Sequence, residues 1–215
     1  MSPVASFDTW QLIALAGTLG WASGVRLYAV LFIVGSLGFL GWIPLPGKLD
    51  LLAHPYVLAA SGAMFAIEFF ADKIPGIDSM WDFVQTFVRI PAGAALAASV
   101  FGDAPGAWTF AAAILGGTLA TGSHLAKSGS RMAINTSPEP FSNWAASFGE
   151  DLAVGVMLWL AWEHPIAALV VLAVLIVLMV WLIRNAWRFV GRLIERVRSA
   201  FGAAPPQGDP PRLPR

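Results

Sequence analysis

Residues 118–151 have the sequence TLATGSHLAKSGSRMAINTSPEPFSNWAASFGED and lie between two strongly apolar segments. This stretch is rich in Ser, Gly, Asn and Pro, and its ionisable residues are His124, Lys127, Arg131, Glu139, Glu150 and Asp151. In an apolar chain it is either an ordinary loop or a polar site held at membrane depth. We favour the polar site, because ionisable residues in membrane segments usually face the bundle interior and mark a pathway or an ion pair.

The composition of the whole chain indicates an integral membrane protein. Of its 215 residues, 57% are hydrophobic and 12% are charged, and the mean hydropathy is +0.69. Soluble domains have about a quarter of their residues charged, so this chain has too little polar surface for a water-soluble globule. The sequence has no cysteine, which excludes disulfides, thiolate metal sites and cysteine nucleophiles. We therefore predict an all-α, polytopic bundle of membrane helices.

The first apolar run, residues 10–42, is too long for one upright span, which needs about 20 residues. Glycines interrupt it, and Arg26 lies near its middle, where a charge is costly in a membrane. We predict two short helices, at residues 9–22 and 26–42, that meet at residues 23–26. The alternative is one long tilted helix with a snorkelling arginine.

Further apolar runs predict the remaining membrane segments, at residues 55–71, 83–101, 108–127, 144–162 and 166–183. Residues 73–82 are expected to form a tight polar connection. Arginines recur every four residues from Arg184 to Arg196, which predicts a basic amphipathic helix over residues 184–201. We expect a single membrane domain over residues 1–201 and a disordered, Pro-rich tail at 202–215.

Three short motifs recur in the same order and suggest an internal repeat. They are Gly-Thr-Leu at 17–19 and 117–119, Ser-Gly-x-Arg at 23–26 and 128–131, and His-Pro at 54–55 and 164–165. They define repeat A, about 9–101, and repeat B, about 107–186. Duplicated units with broken or re-entrant helices are typical of transporters, whose sites form between the repeats. The sequence leaves open whether the repeats are parallel or inverted.

The distribution of basic residues predicts the orientation of the chain. Lysine and arginine collect on the cytoplasmic side of short loops, which places the Ser-Gly-x-Arg segments and the C-terminus in the cytoplasm of a bacterial inner membrane. The arginines of 184–198 are expected to bind anionic lipids. Small residues at 116–122 allow a homodimer through close helix contact. No nucleic acid partner is expected.

The candidate ion or substrate pathway consists of polar residues within or beside the membrane segments. Acidic and basic members are nearly balanced, so they form either a structural ion-pair core or a transport site. Asn135 and Asn143 could present polar groups to an anion beside a helix that starts near Ser142; the alternative is that Ser142 only caps that helix. The candidates are Arg26, Glu68, Asp72, Asp82, Arg89, His124, Lys127, Arg131, Asn135, Asn143, Glu150 and Asp151.

Motifs for other chemistry are missing from the sequence. It contains no H-E-x-x-H or similar metal spacing, no G-x-S-x-G and no phosphate-binding loop. We expect no metal, no cofactor and no catalytic residue. The main hypothesis is a transporter or channel for a small ion or polar solute. The alternatives are a lipid-phosphate flippase or lipid-modifying protein, and an assembly subunit that transports nothing.

Three runs carry a resemblance to a known family: ASGVRLYAVLF at 22–32, EFFADKIPGIDSMWD at 68–82 and SGSRMAINTSPEPFSNWAASFGED at 128–151. The chain up to about Trp187 resembles the bacterial membrane proteins grouped as domain of unknown function 4126. The resemblance implies a small polytopic inner-membrane protein and no established activity. It also marks the charged and amide residues of these runs as family motifs, including Lys73, Asp78 and Glu139.

Overall fold

The computed structural model describes residues 7–102, 104–136 and 141–200, and these fold into an all-α membrane bundle. The helices are α1 (Thr9–Phe39), α2 (Pro55–Ala71), α3 (Ile77–Val100), α4 (Gly106–Ile134), α5 (Phe141–Glu163) and α6 (Pro165–Ala200), with a short 3-10 helix at Leu49–Ala53. Within these described ranges there is no strand. Three helices, α1, α3 and α6 as far as Val197, are long and apolar enough to cross a membrane.

Helix α1 is broken at Arg26, whose backbone has φ −146° and ψ 71°. The sequence predicted this break, and the alternative of one uninterrupted tilted helix is wrong. The two halves, residues 9–25 and 27–39, are about 26 and 20 Å long. The second half ends at Phe39, three residues before the predicted end at 42.

The two halves of α1 form a hairpin, because both outer ends lie at the same end of the bundle. Near the start of the helix, Gln11 donates a hydrogen bond to the carbonyl of Trp162, at the end of α5. Near its finish, Gly35 packs against Leu52 and Leu58, beside the start of α2. Helices α2 and α5 run in opposite directions, so the start of α2 and the end of α5 belong to the same end. Arg26 is therefore at the apex, pointing toward the opposite end of the bundle.

Glycine contacts set the depth at which α1 crosses its neighbours. A Cβ on Gly20 would come within 2.6 Å of the Gly116 Cα atom in α4, and one on Gly24 would overlap the carbonyl of Ala120. The same glycine of α4, Gly116, packs against Gly93 of α3. The small-residue face of α4 is thus used inside the chain and is not free for the homodimer contact that the sequence allowed.

Helix α3 begins at Ile77, so the prediction of a polar connection through Asp82 is wrong. The turn is made by Gly76, with φ 88°, and by Asp78, whose carboxylate accepts from the backbone N–H groups of Gly76 and Ser79 at 2.9 and 2.6 Å. Asp78 and Asp82, which suggested a loop, instead form one buried helix face with Gln85 and Arg89. Their spacing of three and four residues is that of an amphipathic helix.

Most of the polar stretch at 118–151 is helical as well. Helix α4 continues seven residues beyond the predicted end at Lys127, and α5 begins three residues before Trp144. The segment with Ser137 and Glu139 lies outside the described residues, as does the predicted disordered tail at 202–215. The buried polar side chains of α4 and α5 in this stretch face the interior of the bundle. A polar composition is therefore compatible with a helix here.

Helix α6 continues without a break into the predicted basic helix. Its 36 residues measure about 54 Å, whereas the hydrocarbon core of a bilayer is about 30 Å thick. The first 19 residues are apolar and the arginines begin at Arg184, so the basic arm, residues 184–200, starts where a membrane span would end. Gly122 packs against Met179 and Gly129 against Ala186, so α6 runs parallel to α4.

Candidate functional site

All twelve predicted pathway residues belong to one connected network of ion pairs and hydrogen bonds. The network lies in the half of the bundle that contains the α1 apex, the end of α2, the start of α3, the end of α4 and the start of α5. Within it, the side chains of Arg26, Arg89 and Arg131 are completely buried. Helix α6 contributes apolar walls beside the network.

Arg26 joins three carboxylates from two helices. Its Nη1 is 2.7 Å from Asp72 Oδ2, and its Nε is 3.0 Å from Asp151 Oδ1 and 3.5 Å from Glu150 Oε2. Its Nη2 donates to the hydroxyl of Ser147 at 2.6 Å and to the carbonyl of the same residue at 3.1 Å. The break in α1 therefore places a guanidinium between α2 and α5.

Two basic residues of α4 complete this part of the network. Lys127 Nζ is 2.7 Å from Asp72 Oδ2, 3.5 Å from Glu150 Oε2 and 3.6 Å from Asp82 Oδ1. One helical turn later, Arg131 donates to both oxygens of Glu150, from Nε at 3.2 Å and from Nη2 at 2.9 Å. Arg131 and Glu150 thus form an ion pair, and Glu150 lies between three cations.

A second centre forms around Arg89 of α3. Its Nη2 is 2.5 Å from Glu68 Oε1 and its Nη1 is 2.9 Å from Asp82 Oδ1. The same Nη1 is 3.2 Å from His124 Nδ1. Because arginine can only donate, His124 Nδ1 must accept, so Nε2 carries the proton and donates to Thr86 Oγ1 at 2.7 Å. His124 is thus neutral in this arrangement.

The break in α1 also frees backbone carbonyls that the network uses. Lys127 Nζ donates to the Val25 carbonyl at 3.1 Å, and Arg89 Nη1 is 3.4 Å from the Gly24 carbonyl. A helix interior normally occupies such carbonyls with N–H groups four residues later, and a buried unpaired carbonyl is costly. Lys127 and Arg89 thus supply donors to carbonyls beside the break in α1.

Asn135 and Asn143 connect the network to the end of the bundle. Asn143 Oδ1 accepts from Arg131 at 3.2 Å, and its Nδ2 donates to Asn135 Oδ1 at 2.7 Å. Asn135 donates in turn to both oxygens of Asp78, at 2.8 and 3.0 Å. Both side-chain amides make these contacts within the protein, so neither residue supports the predicted anion site at the start of α5.

Sequence reasoning missed several partners of the network. Ser147 lies four residues before Asp151 and four after Asn143, so helical spacing could have identified it. Gln85, inside the predicted membrane segment at 83–101, was also missed; its buried side chain lies on the same face of α3 as Asp82 and Arg89 and accepts from the Tyr28 hydroxyl at 3.1 Å. Asp78 belonged to a family motif but not to the candidate site.

Lys73, in the connection between α2 and α3, lies among aromatic rings at the edge of the network. Its Nζ is 3.0 Å from the centre of the Phe69 ring and 4.9 Å from that of Phe148. Burial lowers the pKa of Lys73, because the rings remove water from its ammonium group. The Lys73 carbonyl accepts from the Trp144 indole at 3.3 Å.

The described network contains one more carboxylate than cations. Its cations are Arg26, Arg89, Lys127 and Arg131, and its carboxylates are Glu68, Asp72, Asp82, Glu150 and Asp151. Lys73 and Asp78 at its margin add one charge of each sign and leave the excess unchanged. Four buried carboxylate oxygens have no hydrogen-bond donor among the described residues: Glu68 Oε2, Asp72 Oδ1, Asp82 Oδ2 and Asp151 Oδ1.

A cavity of about 220 Å³ reaches the network between the first half of α1 and helices α4, α5 and α6. Its polar lining comes from Ser123, Lys127, Ser130 and Glu150. Its other walls are apolar and include Trp21, Val25, Leu175, Leu178, Met179 and Leu182. The side chains of Glu150 and Asp151 are 15% and 25% exposed, whereas the other charged members of the network are at most 2% exposed.

Comparison with known proteins gives one match. No curated protein and no solved structure matches this chain. The family model described as "Domain of unknown function (DUF4126)" matches residues 13–185, from the first half of α1 to the start of the basic arm. The matched region contains every member of the charged network, so the resemblance noted in the sequence is confirmed. The chain belongs to the DUF4126 family.

Proposed function

We propose that this protein is a membrane transporter or channel for a small ion or polar solute. The observation that carries the proposal is the charged network at the apex of a broken helix, which is unbalanced by one carboxylate and reached by a cavity. Charges at membrane depth are costly and usually mark a pathway or a pair. A purely structural core would gain most from equal numbers of opposite charges, closed off from water.

Three features of the network fit a pathway. Glu150 takes part in the ion pairs and also lines the cavity, so the buried charges can be reached from outside the network. The carbonyls of Gly24 and Val25, freed by the break in α1, face Arg89 and Lys127. Several pairs share one cation, which allows a carboxylate to exchange partners without leaving the network.

The internal repeat supports the same proposal. The first half of α1 and α4 run in the same direction, and the second half of α1 and α5 both return toward the opposite end. Arg26 and Arg131 occupy matching motif positions, and both lie beside Glu150. We propose parallel repeats whose Ser-Gly-x-Arg segments meet at the acidic residues, as expected for a transport site between repeats.

A lipid-phosphate flippase or lipid-modifying protein is a second candidate, favoured by the apolar walls of the cavity. Leu178 and Leu182 of α6 line it opposite Lys127, so a hydrocarbon chain and an anionic group could lie in one cavity. Transfer of a fluorescent phospholipid between leaflets of proteoliposomes tests this candidate. A role as an assembly subunit is the least supported candidate, because it does not explain the excess carboxylate or the cavity.

We propose the bacterial cytoplasmic membrane as the location, with the C-terminus in the cytoplasm. The basic arm and the two Ser-Gly-x-Arg segments point to the same end of the bundle, and positive charge favours the cytoplasmic side. Arg188 and Arg192 are exposed on the arm and would face the headgroups of anionic lipids, at about 1 kcal/mol for each charge.

Ion flux into proteoliposomes tests the transport function. Wild type and Glu150→Gln are compared, with Glu163→Gln as the matched control, because Glu163 is exposed at the far end of the same helix. We expect flux of at least one small ion in wild type and Glu163→Gln, and its loss in Glu150→Gln. Absence of flux for protons, alkali cations, halides and small polar solutes in folded wild-type protein would refute the proposal.

A further inference from the structure

We infer that the ion handled by this site is the proton, and that Asp151 is the residue that binds it. This inference rests on the proposed transport function and assigns its ion. It starts from the excess of one carboxylate in the charged network as a whole, because a low-dielectric site penalises an uncompensated charge far more than water does. Uptake of one proton makes the numbers of cations and carboxylates equal.

The contacts of the carboxylates identify Asp151 as the proton-binding member. Asp72 and Asp82 each lie near two cations, and Glu150 lies near three. Asp151 has one cationic partner within ion-pair distance, Arg26 Nε at 3.0 Å, and that guanidinium is shared with Asp72 and Glu150. Glu68 also has one such partner, but its side chain is completely buried.

Accessibility supports the same residue. Asp151 has the most exposed charged side chain of the network, at 25%, so proton uptake there does not require the bundle to open. Charged groups of several elements surround it: Arg26 from α1, Asp72 from α2, Lys73 from the α2–α3 connection and Glu150 from α5 itself. Two of these are cations and two are carboxylates.

The chemistry favours a proton over a metal cation. Hard metal ions such as Ca²⁺ and Mg²⁺ need about six oxygen ligands directed at one point. The oxygens of Asp72, Glu150 and Asp151 instead face the Arg26 guanidinium, which occupies the centre of the group. Protonation needs only one oxygen: an O–H bond forms on the Asp151 carboxylate, its negative charge disappears, and no electron is transferred.

Neutralising Asp151 would also change how Arg26 is held. With Asp151 protonated, Arg26 Nε loses its nearest anion and keeps Glu150, which lies 0.5 Å farther away. Glu150 lines the cavity and approaches the same Nε atom, so proton binding at Asp151 would change the contacts of a cavity-lining residue.

Infrared difference spectroscopy of the purified protein in lipid nanodiscs tests the inference. Wild type is titrated from alkaline pH down to about pH 6, where exposed carboxylates are still ionised, and the carbonyl stretch of a protonated carboxylic acid is followed in H₂O and D₂O. We expect one such band that disappears in Asp151→Asn and returns, shifted, in Asp151→Glu. Asp50→Asn is the matched control, because Asp50 is exposed and lies outside the network, and its band pattern should equal that of wild type.

The outcomes separate this inference from the transport function. Loss of the band in folded Asp151→Asn alone supports the assignment. A band that persists in Asp151→Asn, or a wild-type spectrum without an Asp151-dependent band, overturns it. Flux of another ion without this band refutes the proton site and leaves transport intact, whereas the band without any flux refutes transport and leaves the proton site. If Asp151→Asn does not fold, an unshifted band in Asp151→Glu counts against the assignment.

Discussion

Replacing Arg89 by methionine tests whether the network is held by ion pairs at depth. Arg89 is completely buried between Glu68 and Asp82, at 2.5 and 2.9 Å, and both of these side chains are at most 2% exposed. Methionine has a similar length and is apolar, so Arg89→Met removes the charge while retaining much of the volume. Glu68 then keeps no cation within ion-pair distance among the described residues, whereas Asp82 keeps Lys127 at 3.6 Å.

Removing one partner of a buried pair costs about 3–5 kcal/mol, because the remaining charge stays desolvated. For a chain of this size, that corresponds to a fall in Tm of roughly 6–20 °C. A second substitution, Glu68→Gln, removes the unpaired charge, so the double variant Arg89→Met/Glu68→Gln should recover much of the loss. The loss in the single variant should also shrink at acidic pH, where protonated Glu68 no longer needs a cation.

Thermal unfolding in detergent, followed by circular dichroism, measures these differences. Arg188→Met is the matched control, because Arg188 is exposed on the basic arm and its replacement should change stability by less than about 0.5 kcal/mol. The coupling between positions 68 and 89 follows from the double-mutant cycle. Equal stability of Arg89→Met and Arg188→Met, or additive effects at 68 and 89, would refute the account of a desolvated ion-pair network.

Two further substitutions test the packing and the amide contacts. Gly24→Ala should destabilise the protein by about 1–3 kcal/mol, because its Cβ would overlap the Ala120 carbonyl. Its control is Gly155→Ala, where a Cβ meets nothing within 4 Å, and this change should stabilise the protein by up to about 1 kcal/mol. Asn143→Leu should cost about 1–3 kcal/mol, because Arg131 loses a buried acceptor. Asn185→Leu, on the basic arm, is its control. Equal melting temperatures for Gly24→Ala and Gly155→Ala, or for Asn143→Leu and Asn185→Leu, would contradict these contacts.

Much of the site could be predicted because costly residues are visible in the sequence. An arginine and several glycines in one long apolar run predict a break, and the break occurs at Arg26. Intramembrane charges of both signs predict pairing, and the structure pairs them. The start of α3 was predicted wrongly because Asp78 and Asp82 were taken as loop residues, although their spacing from Gln85 and Arg89 is helical.

The individual pairings could not be predicted, because they depend on how deeply the helices cross. Arg89 pairs with Glu68 rather than with Glu150, and this choice follows from the position of α3 against α1 and α4. Contacts of Gly20 with Gly116, and of Gly116 with Gly93, set that position. A sequence shows that glycines allow close approach, but it does not show which glycine meets which.

The break in α1 and the charged network stabilise each other, and this coupling has a consequence for function. The freed carbonyls of Gly24 and Val25 need donors, which Arg89 and Lys127 supply, while the same cations hold Glu68, Asp82 and Asp72. Any movement of the α1 apex must therefore exchange ion-pair partners and carbonyl contacts together. Because each cation has several acceptors within 4 Å, such an exchange can proceed without leaving a cation unpaired. A network of isolated pairs would instead resist the movement, since each broken pair would leave both charges desolvated.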